Sequence, residues 1–123
     1  MNTAITVIQV LLTLFMAAAG LGRLALPYAK ITALQPWVND FKPEIVRLIS
    51  VVEVCIAVGL IVSLFLPTLT VLTPLAAVGI ALIMAGAMAT HLRRGEYLHM
   101  AGNLIWLGLA LFVTYGRLVE FIV

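Results

Sequence analysis

Glu53 is the only carboxylate in the stretch Ile-Ser-Val-Val-Glu-Val-Cys-Ile-Ala-Val-Gly-Leu, residues 49–60, whose other side chains are nearly all apolar. An acid in such surroundings has three uses: it carries a proton, it holds a ligand or partner by hydrogen bonds, or it latches one helix to another. Each use needs a polar side chain from elsewhere in the chain. The candidates are Arg23, His91 and Asn103, with Thr13 beside them and Gln9 and Arg117 further off.

Helical phase groups these residues. Thr6, Gln9, Thr13, Gly20 and Arg23 recur at intervals that place them on one stripe of a first helix. Ser50, Glu53 and Ala57 share a stripe of a second, and Asn103, Ala110, Thr114 and Arg117 one of a fourth. Polar and small stripes on otherwise apolar helices turn inward. The third helix carries Ala77, Ala81, Ala85 and Ala89 every four residues, a ridge that allows close backbone approach and suits a homodimer seam. Ordered by depth, the polar residues suggest a cleft that opens at one membrane face and ends at Glu53. Arg23 or His91 is then the counter-charge.

The elements that must position these residues follow from composition. The chain of 123 residues is 64% hydrophobic and 10% charged, with mean hydropathy +1.22. Soluble domains run about 45–50% apolar and about 25% charged, so lipid is the expected solvent. Apolar stretches at 3–22, 44–66, 70–91 and 99–122 each approach the roughly 20 residues that a bilayer core requires. The first lacks a basic leader and runs longer than a signal sequence, so it is read as a helix of the mature protein. The expected fold is all-α, one membrane domain over 1–123 with four transmembrane helices in a bundle. A partly helical segment containing Pro27, Pro36 and Pro43 follows helix one, with Tyr28, Trp37 and Phe41 at headgroup level.

Several chemistries are excluded or disfavoured. A net charge of +2 without a basic stripe argues against nucleic acid. Cys55, the only cysteine, allows no internal disulfide, and among Val and Ile it is expected to be buried and inert. His91 and His99 lie at different helix ends without carboxylates at ligand spacing. They read as interfacial or hydrogen-bonding side chains, and no metal site is expected. Arg93 and Arg94 read as interfacial anchors.

Certain residues resemble the DoxX-like family of small four-helix membrane proteins. They are Gly20-Leu-Gly-Arg23-Leu24, similar to the family's Gly-x-x-Lys-Leu; Glu53 followed by Gly59-Leu60; Pro74 to Glu96; and Asn103 through Gly116-Arg117. The resemblance implies a multi-pass protein, of the bacterial inner membrane, and two classes of function. The first is an accessory subunit or enzyme of a membrane redox system that handles a lipophilic molecule such as a quinone through the cleft at Glu53. The second is an assembly factor that engages transmembrane helices of a partner membrane protein, as a eukaryotic relative does for receptors. Glu53, Arg23, His91, Asn103 and Arg117 are the positions carried over. Arg23 in place of Lys keeps the charge and changes the hydrogen-bond geometry.

Arg23, Lys30, Lys42 and Arg47 flank the first connection, and Arg93 and Arg94 lie in the third. The opposite side offers Arg117. By the positive-inside rule both termini face out. A periplasm-active reporter fused to Val123 should therefore give signal while a cytoplasm-active one stays dark, and the reverse pattern overturns this orientation.

Overall fold

A computed structural model describes residues 3–122; Val123, the fusion point above, lies outside them. Four long helices cross the bundle: α1 (Thr3–Ala25), α3 (Pro43–Phe65), α4 (Leu72–Arg93) and α5 (Tyr97–Ile122). All four are long and apolar enough to span a membrane, and no strand occurs among the described residues. Between α1 and α3 lie the short α2 (Tyr28–Leu34) and a 3-10 turn over Pro36–Asp40. The fold is the all-α membrane bundle that the composition implies.

Prolines set several of the boundaries. Pro27 immediately precedes α2, Pro36 opens the 3-10 turn and Pro43 opens α3, positions where the missing N–H is an orphan anyway. Pro67 starts a second 3-10 turn over Pro67–Leu69 that reverses the chain into α4. At the far end of α4 the reversal needs Gly95. The Glu96 N–H donates to the His91 carbonyl at 2.8 Å and the Gly95 N–H to that of Leu92 at 3.1 Å. This paired pattern closes a helix only when the residue after the cap takes a left-handed conformation. Gly95 does so, with φ +74°.

The helices form a ring in which α1 packs on α3 and α5, and α4 packs on α3 and α5. Leu12, Met16, Leu60, Ile80 and Val113 fill its centre, and Phe15 stacks on Trp106 at 4.0 Å between ring centroids. A second small cluster, Ile31, Val38 and Val46 with Trp37 and Phe41, seats α2 and the 3-10 turn against the start of α3. The segment expected at headgroup level thus has an apolar core of its own, with Val38 fully buried. One expectation is corrected. Cys55 is exposed on the outer surface of α3, because it lies off the stripe shared by Ser50, Glu53 and Ala57. The alanine ridge of α4 winds across two faces: Ala77 is fully buried, whereas Ala85 and Ala89 face outward.

Gly20 fixes how closely α1 approaches α3. A Cβ at this position would lie 2.6 Å from the Ser50 carbonyl oxygen and 2.8 Å from a Val54 methyl. Two residues on, a Cβ at Gly22 would meet nothing within 4 Å. Gly20→Ala is expected to lower stability by about 1–3 kcal/mol through overpacking. Gly22→Ala should be neutral or raise it by up to about 1 kcal/mol through helix propensity. Thermal unfolding in detergent measures both, and equal effects would refute the close approach.

Candidate functional site

The close approach at Gly20 brings the last turn of α1 against Ser50 and sets Arg23 over the inward stripe of α3. Arg23 Nε donates to Ser50 Oγ at 3.0 Å, and Nη1 donates to Gln35 Oε1 at 3.1 Å. Nη2 forms an ion pair with Glu53 Oε1. The guanidinium carbon lies 5.6 Å from the Trp37 ring centre, within cation–π range. The Ser50 hydroxyl in turn donates to the Val46 carbonyl at 2.9 Å. One planar cation therefore binds α1 to α3 and to the cap that follows α1. The Arg23 and Glu53 side chains are only 8% and 4% exposed. Removing one partner of such a buried pair costs about 3–5 kcal/mol, because the other charge is left uncompensated.

Glu53 is eleven residues into α3, but α3 carries Glu44 and Arg47 exposed in its first turns. Measured from Arg47, the acid is about 9 Å into the apolar stretch at about 1.5 Å per residue. Counted from the start of the helix at Pro43, the same acid is about 15 Å along α3. Beside the pair, a groove of about 50 Å³ opens between the end of α1, α2 and the start of α3. Arg23, Arg47, Ser50 and Tyr28 supply its polar lining, and Leu24, Leu26 and Ile31 lie among its apolar lining residues.

A second polar knot ties the other end of the bundle. Gln9 is fully buried. Its amide nitrogen faces the Leu60 carbonyl at 2.9 Å, Ser63 Oγ at 3.1 Å and Thr73 Oγ1 at 3.2 Å. Its oxygen accepts from Arg117 Nε at 2.9 Å. Arg117 also donates to Thr6 and to Glu120. Gln9 thereby reaches the other three spanning helices.

A third network sits at the α4–α5 turn, at the same end as the Arg23 knot. His91 Nδ1 lies 2.7 Å from Glu96 Oε1, and the His91 and His99 rings stack at 5.1 Å. Arg94 Nη1 donates to both oxygens of Asp40, at 2.9 and 3.1 Å. Arg94 is thus a strap between the first and third connections rather than a free interfacial anchor; Arg93 is exposed. The hydrogen bond from His91, with help from the Arg94 charge and against desolvation, holds the Glu96 carboxyl below its ordinary value. A lowered carboxyl stabilises above its unfolded value, and that contribution is lost as pH falls through the folded one.

The residues picked out by phase therefore divide. Arg23 joins Glu53, and Gln9 joins Arg117. His91 turns to Glu96, and Thr13 donates to the Gln9 carbonyl of its own helix at 2.9 Å. Asn103 keeps a buried amide nitrogen with no hydrogen-bond partner among the described residues. A single cleft linking them does not form, since Leu12, Met16, Ile56 and Leu60 are packed between the two knots. Gln35, Ser63 and Thr73 escaped the sequence reading. Ser63 lies one turn beyond the buried Leu60, on the edge of the inward side of α3; Gln35 sits in a connection whose path helical phase does not set.

The DoxX-like family model matches residues 7–113, from α1 to α5. No curated protein and no solved structure matches the chain.

Coupling within the buried pair is testable by a double-mutant cycle. Arg23→Gln and Glu53→Gln should each lower stability by about 3–5 kcal/mol. The double variant should lose clearly less than their sum. Unfolding in detergent reads all three; strictly additive losses would mean that the two charges do not stabilise each other.

Proposed function

This chain belongs to the DoxX-like family, and from that premise we propose that it is an accessory subunit whose α5 docks on a partner membrane protein. The observation that carries this reading is the unequal cover of the four spans. In the most apolar stretch of each helix, 33% of α1, 33% of α3 and 28% of α4 is buried in the bundle, against 11% of α5. The outer face of α5 presents Leu98, Ile105, Leu111 and Tyr115, each more than half exposed. Transmembrane helices associate through shape and van der Waals packing rather than hydrophobic drive. A long helix with so little cover offers the most contact area to a partner.

The polar chemistry supports a binding role over catalysis. Arg23, Glu53, Gln9 and Arg117 hold one another, and the His91 ring bonds Glu96. The setting that the family resemblance implies is a membrane redox system, with assembly of a partner as the same physical act performed transiently. The inner membrane of a bacterium, with both termini outside, is the location proposed with it.

Handling of a quinone through Glu53 is the second reading. Its support is the groove beside the Arg23–Glu53 pair. At about 50 Å³ the groove is well below the roughly 300–1,000 Å³ of small-molecule sites. Arg23 also occupies the acid that would meet the ring. Self-association, which the alanine ridge suggested, would use Ala85 and Ala89 on the outer face of α4.

Crosslinking separates these partners. In a Cys55→Ser background, a photo-crosslinker at Leu104 or Ile105 of α5 should yield an adduct with a different membrane protein in native membranes. The same probe at Val58 of α3 should yield only lipid adducts. Adducts at twice the chain mass would assign the face to a homodimer, and equal yields from α3 and α5 would remove the case for docking by α5.

A further inference from the structure

The groove at the end of α1 has a charge balance that the docking of α5 does not use. Among its lining residues are two arginines and no carboxylate. Arg23 is neutralised from behind by Glu53, whereas Arg47 is exposed and makes no ion pair among the described residues. Next to the lining in sequence stand Lys30 and Lys42, both exposed, against the single acid Glu44; Asp40 is already held by Arg94. Pro43, the first residue of α3, is also in the lining, so the positive end of that helix dipole points the same way. The N–H groups of Ile45 and Val46 are turned to the Lys42 carbonyl. Those two donors are therefore spent within the helix, and the helix end contributes its charge here.

Its apolar side is equally specific. Leu24 and Leu26 line the groove and are 41% and 39% exposed. Tyr28, 40% exposed, supplies an amphipathic ring of the kind that sits at headgroup level. A ligand that fits must join a compact anion to apolar chains lying outside the groove. We propose that the groove holds the phosphate of an anionic phospholipid, clamped by the Arg47 guanidinium and screened from Glu53 by Arg23, with its acyl chains along Leu24 and Leu26. Guanidinium suits this task, since its planar fork meets two phosphate oxygens at once. Basic pockets between transmembrane helices hold lipid headgroups by the same chemistry.

Native mass spectrometry of the protein in mild detergent, titrated with phosphatidylglycerol or phosphatidylcholine, tests the assignment. Phosphatidylglycerol should bind the unaltered chain more tightly than phosphatidylcholine. Arg47→Gln should weaken phosphatidylglycerol binding about tenfold, the loss of one charged hydrogen-bonding group. Arg47→Lys should weaken it less, because the charge remains, and Arg93→Gln, an exposed arginine outside the groove, should leave it unchanged. Unfolding curves for the variants, expected to coincide with that of the unaltered chain, keep loss of binding apart from loss of fold. Equal binding of the two lipids, or equal effects of Arg47→Gln and Arg93→Gln, would overturn the proposal. Inorganic phosphate competing as strongly as the lipid would also overturn it, because the acyl chains would then contribute nothing.

Discussion

Inside a bilayer no water is at hand for a stray donor or acceptor, so a polar side chain on these helices is costly unless it finds a partner within the protein, as Gln9, Arg23, Glu53 and Arg117 do and the Asn103 amide nitrogen does not. The rest of the structure follows from that constraint. Hydrocarbon tails are as apolar as leucine, and the core of Leu12, Met16, Leu60 and Ile80 gains close packing but little of the hydrophobic drive it would have in water. Register and neighbour choice fall instead to the polar residues. Gln9 reaches α3, α4 and α5 from one position in α1. Arg23, four turns further along, reaches α3 and the cap. Two knots at opposite ends, on the same inward stripe of α1, hold a bundle whose middle is apolar.

The knots differ in kind. At Gln9 the groups are amide, hydroxyl and carbonyl, joined by a guanidinium at the edge, and the Ser63–Thr73 hydroxyl pair closes to 2.5 Å. Neutral groups in low dielectric lose little when exchanged for other neutral groups that keep the bonds. At Arg23 the centre is an ion pair, which attracts more strongly and costs far more when broken. Ser50 lies beneath it, Gln35 and Trp37 to one side, and Gly20 gives the approach that allows the set to form. A lysine could make the ion pair but could not present separate nitrogens to Ser50, Gln35 and Glu53. The Arg at this position and the folded cap are thus one arrangement.

How much of this the sequence discloses depends on whether a residue sits in a regular helix. Periodicity placed four spans within a few residues of α1, α3, α4 and α5 and turned Gln9, Ser50, Glu53 and Ala57 inward, because 3.6-residue spacing alone decides those faces. It left Arg23, His91 and Asn103 as alternative partners for Glu53, of which the folded chain uses Arg23. It failed at Gln35 and Val38, whose burial depends on how a proline-broken connection folds back. It fails again at Cys55, whose apolar neighbours in sequence do not imply burial. In a membrane helix every face is apolar, and only the polar stripe marks the inside. The relation between His91 and Glu96 was hidden for another reason: it needs the left-handed Gly95 turn, which brings together two residues on opposite sides of a helix break.

Glu53 is tolerated in lipid because Arg23 cancels it, and the same cancellation sets the sign of the surface above it. An acid left uncompensated under the groove would repel anions from Arg47 and from the start of α3. Covered by Arg23, it leaves Arg47 and the helix end to define the local potential, so the groove is positive although it lies beside a buried carboxylate. A neutral residue in place of Glu53 would not serve as well, because Arg23 would then be a buried charge without a counter-ion and would turn outward toward headgroups, loosening Gln35, Trp37 and the cap with them. The acid in the apolar run is therefore best understood as the fixed counter-charge that keeps an arginine inside, holding in place the short segment that walls the groove beside Arg47.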